Sequence, residues 1–183
     1  MRLIIIAGLI TLTLSLTACG SSRYRFNPPV NPGASVQINQ TYTSLSNGGK
    51  VYFQQGIQVF EGNIDRWETH CELYVYNPDQ DADYKTSIQA GRFKITRVGS
   101  NKETVEVNTF AKGVEVASLN WHDHDRPSFI TYKTGLSLQS DQQPDVRALN
   151  CYRAVSVAGA YHPDLTQIRG ALGNLIEIQL NSI

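Results

Sequence analysis

The sequence contains one pair of histidines whose spacing could bind a metal ion. In the stretch 120–127, NWHDHDRP, a single residue separates His122 from His124. In extended backbone both imidazoles would point to one side of the chain, with Asp123 and Asp125 opposite. Two such imidazoles can ligate zinc or copper if a further ligand reaches them. A polar loop before a strand is the simpler interpretation, and metal binding by His122 and His124 is kept as an alternative.

Three alternating aspartates form a second candidate site. Asp79, Asp81 and Asp83 are spaced as in the first half of a calcium-binding loop. However, Tyr84 stands where that loop has glycine, and Ala90 stands where it has a bidentate glutamate. A solvated hairpin tip is therefore the favoured interpretation.

The remaining candidate groups are carboxylates whose spacing indicates no particular reaction. They are Glu61, Asp65, Glu68 and Glu72. Trp67 lies among them, just before a predicted strand, a position typical of the edge of a core. The sequence has no nucleophile elbow, no glycine-rich phosphate loop and no Ser-x-x-Lys pair. We therefore predict no catalytic residue and no cofactor, and we favour a protein without enzyme activity.

The N-terminal segment carries the most specific pattern in the sequence. Met1 and Arg2 are followed by residues 3–16, which bear no charge, and then by Leu-Thr-Ala-Cys at 16–19. An apolar run of about 14 residues is typical of a signal peptide and is too short to cross a bilayer of roughly 30 Å. The four residues that end at Cys19 resemble the lipobox of bacterial lipoproteins. The alternatives are an ordinary secretory signal followed by a free cysteine, or a buried N-terminal helix.

The resemblance to bacterial lipoproteins implies cleavage before Cys19 and attachment of diacylglycerol to its sulfur. Residues 1–18 would be the signal peptide, residues 19–35 the lipidated N-terminus and flexible tether, and residues 36–183 one β-rich domain. Two or more acyl chains, such as palmitate, hold a protein firmly on a membrane. Because Gly20 is not the aspartate of the inner-membrane retention signal, we expect the outer membrane, with the domain facing the periplasm or the cell surface.

With Cys19 assigned to lipid, two cysteines are left, and an even pair in an exported chain favours a disulfide. Cys71 and Cys151 both fall on the apolar face of a predicted strand. His70 then points to the opposite face, which argues against a catalytic Cys71–His70 pair. We predict a Cys71–Cys151 disulfide, with two buried free thiols or a reactive or metal-binding thiol as alternatives.

Length and composition indicate one globular domain. The chain has 183 residues, of which 41% are hydrophobic and 17% charged, and its formal net charge is +0. This composition supplies one core and gives no sign of a nucleic-acid partner. From residue 36 onward, about eight short alternating segments are separated by Gly, Pro, Asn or Asp. The pattern predicts a mainly β fold, an antiparallel sandwich or small barrel of about eight strands.

Alternation also assigns residues to faces. Phe93 and Ile95 are predicted to share one face of their strand. The residues of two further sets are also predicted to share a face within each set: Val51, Phe53, Ile57 and Val59; and Ile176, Ile178 and Leu180. A hairpin is predicted over 103–119 with its turn near 111–113. One short helix should begin after Asp164, which can cap it, and end at Gly173 in the left-handed αL conformation.

The anchor, the tether and the lack of a catalytic motif favour a non-enzymatic envelope lipoprotein. Such a protein would be structural, or an accessory subunit that binds another envelope component, with an envelope protein as partner and the membrane contacted through its lipid. A small-ligand or lipid-binding β-barrel is the first alternative, since eight strands can enclose a small ligand. A metal-binding protein or enzyme that uses His122 and His124 is the second.

Overall fold

A computed structural model describes residues 26–44, 49–78, 85–106, 128–156 and 162–181. The strands are β1 (Ser35–Ile38), β2 (Tyr42–Thr43), β3 (Lys50–Gln54), β4 (Ile57–Val59), β5 (His70–Val75), β6 (Ser87–Ile88), β7 (Gly91–Glu106), β8 (Ser128–Gln139), β9 (Val146–Val155) and β10 (Ile176–Gln179). The helix α1 covers Leu165–Leu172, and a short 3-10 turn covers Glu61–Asn63. No helix in this part of the chain is long and apolar enough to cross a membrane.

Eight strands form one curled antiparallel sheet, in the order β10-β1-β7-β8-β9-β5-β3-β4. The two remaining strands, β2 and β6, pair in a small separate sheet. Helix α1 contacts β3, β5 and β10, so it packs between two distant parts of the curled sheet. These elements confirm the prediction of a mainly β, antiparallel fold with one short helix near the C-terminus.

One face of the sheet, here called the core face, packs against α1 and excludes water. On β5 it carries Cys71, Leu73 and Val75, and on β9 it carries Leu149 and Cys151, all of them buried. Phe93 and Ile95 are fully buried in the same cluster, as the alternation predicted. The opposite face of the sheet, here called the outer face, carries the residues between them, because neighbouring side chains of a strand alternate.

The hairpin of β3 and β4 corrects one face assignment. Val51 and Phe53 are buried in the core, but Ile57 and Val59 stand opposite Gln54 and Tyr52 on the outer face. The two strands are joined by a two-residue turn, with φ of 53° at Gln55 and 76° at Gly56. Both positive angles are typical of a type I′ turn, and its length reverses the alternation between the strands.

The segment before β1 also differs from the prediction. Val30 and Ala34 are 3% and 2% exposed and belong to the core cluster, although a flexible tether was expected up to residue 35. The backbone N–H of Gly33 donates to the carbonyl of Ile95 at 2.8 Å. The packed part of the domain therefore includes Val30 and Ala34, because burial of two apolar side chains outweighs the turn-forming composition of this segment.

Strand β7 is longer than expected, since its 16 residues join two segments predicted as separate strands. It pairs with β8 from Lys94 opposite Gln139 to Glu106 opposite Ser128. The turn predicted near 111–113 and the second arm of that hairpin lie outside the described residues.

Helix α1 begins where the sequence predicted. Asp164 accepts a hydrogen bond from the backbone N–H of Gln167 at 2.8 Å, and the Gln167 side chain accepts one from the Asp164 backbone at 3.1 Å. This reciprocal capping box satisfies two backbone donors of the first turn. At the other end, Gly173 has a φ of 56° but a ψ of −137°, so it is not in the predicted αL conformation.

Candidate functional site

A polar pocket of about 230 Å³ opens on the outer face of the sheet. Strands β3, β5, β7, β8 and β9 form its floor, and the loop between β4 and β5 forms one wall. The lining residues are Lys50, Tyr52, Glu61, Ile64, Arg66, His70, Glu72, Val105, Phe129, Thr131, Tyr152 and Ala154. This pocket collects more titratable side chains than any other described cavity.

Glu72 is the central residue of the pocket, and the residue is almost buried, at 7% exposure. On β9, the Asn150 side-chain amide donates to Glu72 Oε1 at 3.0 Å, and the Tyr152 hydroxyl donates to the same oxygen at 2.9 Å. The other oxygen, Oε2, lies 3.9 Å from the Lys50 ammonium on β3. Burial of a carboxylate is tolerated because hydrogen bonds and an opposite charge replace its hydration.

Tyr152 is held on both sides by neighbours in the same row of the sheet. The His70 ring on β5 stacks with it, with centroids 5.5 Å apart and an interplanar angle of 17°. On β8, the Lys133 ammonium lies 5.5 Å from the centroid of the Tyr152 ring. These contacts restrain the ring, so its hydroxyl is directed at Glu72 before any ligand arrives.

Two tyrosines of the pocket have raised pKa values. Burial raises the pKa of Tyr152 above its usual 10.0, and the charge of Glu72 raises it further. Burial likewise raises the pKa of Tyr52, followed by the charges of Glu72 and Glu61 and a hydrogen bond to Glu61. Both hydroxyls therefore stay protonated at neutral pH and serve as hydrogen-bond donors.

His70 is the third residue of this pocket with a shifted pKa. Burial lowers its pKa from the usual 6.5, while a hydrogen bond to the Glu68 carbonyl and the charge of Glu72 act in the opposite direction. The imidazole is therefore neutral at pH 7, with Nδ1 3.3 Å from that carbonyl oxygen. A neutral imidazole offers one donor and one acceptor to a ligand.

The wall of the pocket is attached to the sheet by backbone and side-chain hydrogen bonds. The Gln54 side chain donates to the Asp65 carbonyl at 2.7 Å and accepts from the Asp65 backbone N–H at 3.0 Å. The Arg66 carbonyl accepts from the backbone N–H of Ala154 at 2.8 Å. The Trp67 ring packs against the Phe129 ring, with centroids 5.6 Å apart. The loop is thereby held as a fixed rim.

The structure describes some of the predicted site residues and not others. The Sγ atoms of Cys71 and Cys151 are at disulfide-bonding distance, 2.12 Å, in the buried core. Cys19, His122 and His124 lie outside the described residues, as do the aspartates 79, 81 and 83. Among the described residues, no group of three or more His, Cys, Asp or Glu side chains is arranged to hold a metal ion.

Of the four carboxylates noted in the sequence, Glu61 and Glu72 meet in the pocket and the other two do not line it. Trp67, expected at the edge of the core, is 54% exposed. Sequence reasoning gave Glu72 no role, although one signal could have identified it. Since Cys71 faces the core, Glu72 must face outward in the middle of a central strand, where a carboxylate needs partners.

Together the fold and the pocket define the class of this protein: a curled antiparallel β-sheet domain with a helix on its core face and a polar pocket on its outer face. Comparison of the chain with known protein families, with characterised proteins and with solved structures finds no match.

Proposed function

We propose that this protein is a lipid-anchored accessory subunit of the bacterial envelope, without enzyme activity, that binds another envelope protein. Two observations support an exported, anchored chain. The residues that end at Cys19 resemble a lipobox, and the Cys71–Cys151 pair lies at disulfide-bonding distance. Disulfides persist in oxidising compartments such as the periplasm.

The exposed apolar surface beside β4 carries the proposal of a protein partner. Among the described residues, five large hydrophobic side chains are exposed, and two of them lie on or next to β4. Ile57 is 60% exposed on β4, and Phe60 is 52% exposed just after it. Neighbouring exposed apolar side chains mark interaction sites more often than single ones do. These two residues are called the β4 patch below.

The backbone of β4 adds a second reason to expect a partner. This strand ends the sheet order and, within the described residues, pairs with β3 alone. In a two-residue hairpin the closing pair, Gln54 and Ile57, bond to each other, so Gln58 directs its backbone N–H and C=O away from β3. An exposed edge of this kind can accept an added strand. We infer that the partner contributes an extended segment along β4.

The two alternatives have less support. The core face is filled by side chains such as Phe53, Phe93 and Leu136, all fully buried, so the curled sheet has little room there for a ligand. The metal hypothesis rests on His122 and His124 alone, and both lie outside the described residues. A protein partner that covers the β4 patch explains why its apolar side chains are exposed, which neither alternative does.

Site-specific photo-crosslinking in intact cells tests the proposed partner. A crosslinking residue replaces Ile57, and the matched control replaces Leu180, which is 53% exposed beyond β10 at the opposite edge. We expect one discrete protein adduct at position 57 and none at position 180. Equal adducts at both positions, or none at either, would overturn the proposed surface.

The role of the β4 backbone is tested by two variants of Gln58. Its side chain donates to the Thr43 carbonyl at 2.8 Å, so Gln58→Ala removes that bond and keeps the backbone N–H. Gln58→Pro removes both. If a partner strand pairs with β4, Gln58→Pro should lose the adduct formed from position 57, whereas Gln58→Ala should retain it. Equal retention by the two variants would contradict strand addition.

The anchor is tested by fractionation of cells that express Cys19→Ser. Without a thioether-linked lipid, the protein should leave the membrane fraction, because no acyl chains hold it there. The natural chain is the control. Continued membrane retention of Cys19→Ser would contradict the proposed anchor. It would not affect the photo-crosslinking result, which tests the partner surface alone.

A further inference from the structure

A second depression lies on the outer face of the sheet, beside the pocket around Glu72. Its volume is about 230 Å³. This is below the roughly 300–1,000 Å³ of pockets for drug-sized ligands, so the depression suits a small chemical group. Its lining residues are Arg97, Gly99, Ser100, Asn101, Lys133, Gly135, Leu136, Ser137, Ala148 and Asn150. It is called the Gly99 depression below.

Two glycines form the floor of the Gly99 depression, and they differ in what covers them. Gly99 on β7 and Gly135 on β8 stand directly opposite each other. A Cβ atom added at Gly135 would lie 3.1 Å from Asn150 Oδ1 and 3.6 Å from Lys133 Cε, so these two side chains already border that glycine. A Cβ atom added at Gly99 would have no atom within 4 Å. The open part of the depression is therefore above Gly99.

Two cations flank this open space from opposite corners. Arg97 comes two residues before Gly99 on β7, and Lys133 comes two residues before Gly135 on β8. Because antiparallel strands run in opposite directions, the two cations lie diagonally across the glycine pair. Residues two apart in a strand are roughly 7 Å apart on one face, a distance that long basic side chains span. Both charges can therefore reach a group placed over Gly99.

Neutral hydrogen-bonding side chains occupy the other two corners. Ser137 stands opposite Arg97, and Asn101 stands opposite Lys133. A serine hydroxyl and an asparagine amide can each donate a hydrogen bond. Donors therefore surround the open space from two strands. This arrangement suits a tetrahedral oxyanion, whose oxygens point in several directions, better than a planar carboxylate.

The Lys133 side chain is restrained before any ligand arrives. Its ammonium lies 5.5 Å from the centroid of the Tyr152 ring, and that ring stacks with His70. The Tyr152 hydroxyl donates to Glu72, which fixes the ring from its other end. A cation held on an aromatic face keeps its charge and loses less conformational entropy when it binds a ligand.

This part of the sheet is locally positive, although the whole chain has a formal net charge of +0. Residues 85–102 include five basic side chains and no acidic one. Arg92 and Lys94 alternate with core residues of β7, so they share the outer face with Arg97. None of the described residues that line the Gly99 depression is acidic. The depression therefore favours a negatively charged ligand.

Two carboxylates of the outer face lie outside the depression. Glu103 is farther along β7, and Glu72 is separated from Gly135 by Asn150 in the same row of the sheet. The charge of Glu72 is already compensated by Lys50 at 3.9 Å and by the hydrogen bond from Asn150. Neither carboxylate neutralises the cations at the two corners of the depression.

We propose that the Gly99 depression binds a phosphate group over Gly99, between the guanidinium of Arg97 and the ammonium of Lys133. The guanidinium donates two parallel hydrogen bonds to phosphate oxygens, and the ammonium acts as a point charge. Ser137 and Asn101 donate from the remaining corners. A free phosphate compound and a phospholipid headgroup both present this group. The proposal needs neither the lipid anchor nor the protein partner, since only β7, β8 and β9 build the depression.

The probes are inorganic phosphate, glycerol 3-phosphate and glycerophosphoglycerol, which is deacylated phosphatidylglycerol. Each is titrated into the full chain in a non-ionic detergent at constant ionic strength, and NMR follows the backbone amide of Gly99. We expect saturable binding of at least one probe. Tighter binding of phosphate or the monoester assigns the depression to a free phosphate compound, and tighter binding of the diester assigns it to a lipid headgroup. Absence of saturable binding by all three would overturn the proposal.

Arg97→Gln and its matched control Lys94→Gln test whether the depression itself binds the anion. Each variant removes one positive charge from an exposed position on the outer face of β7, but only Arg97 lines the depression. Arg97→Gln should weaken binding about tenfold, the effect of losing charge-assisted hydrogen bonds. Lys94→Gln should change it by less than about twofold, because salt screens distant charges. Equal weakening would show general attraction to β7 and overturn the site.

Gly99→Val tests the position of the phosphate without changing any charge. Valine suits a strand and the space at Gly99 is open, so the variant should fold and give a native-like NMR spectrum. Its side chain fills the space assigned to the phosphate, so saturable binding should be lost. Gly62→Val, at another glycine with no atom within 4 Å of an added Cβ, is the control and should bind normally. If folded Gly99→Val binds as tightly as Gly62→Val does, the proposed position is wrong.

Discussion

Cys71 and Cys151 stand directly opposite each other on β5 and β9, with their Cα atoms 4.0 Å apart. The next pair in the same ladder is Glu72 and Asn150, which meet on the outer face at 3.0 Å. One pair of strands therefore holds the disulfide-distance pair on the core side and the central carboxylate on the other. The register of β5 against β9 therefore sets the position of both pairs.

Replacement of both cysteines should lower the free energy of unfolding. The pair is separated by 80 residues, and closing a loop of that length stabilises a fold by about 4–5 kcal/mol in the chain-entropy description. We expect Cys71→Ser/Cys151→Ser to lose a large part of this in urea unfolding. Reductant should destabilise the natural protein similarly and leave the double variant unchanged. Two titratable thiols in the oxidised, folded domain would contradict the bond.

Raised tyrosine pKa values predict a loss of stability at alkaline pH. Tyr52 and Tyr152 are protonated in the fold at pH values where the unfolded chain ionises, above about 10. Their contribution is fully present below pH 10 and is lost as the pH rises beyond it. Urea unfolding between pH 8 and 11 should show this decline, and Tyr152→Phe should make it shallower.

Glu72→Gln tests the electrostatic part of the tyrosine shifts. This variant keeps an oxygen acceptor for Asn150 and Tyr152 but removes the negative charge. The pKa of Tyr152 should fall toward 10, without reaching it, because burial is the larger cause. Tyrosinate absorbance during alkaline titration measures the shift. An unchanged Tyr152 titration in Glu72→Gln would show that its hydroxyl does not face this carboxylate.

The lowered pKa of His70 predicts acid sensitivity. Because the folded state binds its proton more weakly than the unfolded chain, His70 favours folding above pH 6.5, and this contribution is lost as the pH falls below it. NMR titration of the imidazole should give a pKa below 6.5. His70→Phe keeps a ring against Tyr152 without a titrating group, so its stability should vary less between pH 5 and 7.5. A remaining slope is expected from His162, whose pKa burial also lowers.

Two glycines at the helix C-terminal end should respond oppositely to alanine. At Gly173, φ is 56° and an added Cβ would lie 2.6 Å from the Gly56 Cα, so Gly173→Ala should destabilise by about 1 kcal/mol or more. Gly170 lies inside the helix with no atom within 4 Å of such a Cβ, so Gly170→Ala should stabilise by up to about 1 kcal/mol. Thermal unfolding of both variants measures the contrast. Equal effects would contradict the close approach of Gly173 to Gly56.

Local patterns predicted much of the fold, because they depend on neighbouring residues. The helix after Asp164 was predicted from one cap and its apolar spacing, and the structure has it at Leu165–Leu172. Alternation placed Phe93 and Ile95 together in the core. Alternation placed Ile57 and Val59 on the wrong face, because the two-residue turn at Gln55 and Gly56 reverses the alternation between β3 and β4. Leu180, predicted with Ile176 and Ile178, lies beyond the end of β10 and is exposed.

The sequence by itself determined the β class, the capped helix, the likeness of its N-terminus to a lipobox and the opposite facing of Cys71 and His70. Only the tertiary structure decided which carboxylate became central. Glu72 and Tyr152 are 80 residues apart, and they meet because β5 and β9 are neighbours in the sheet. Strand order depends on long-range packing that no local period encodes.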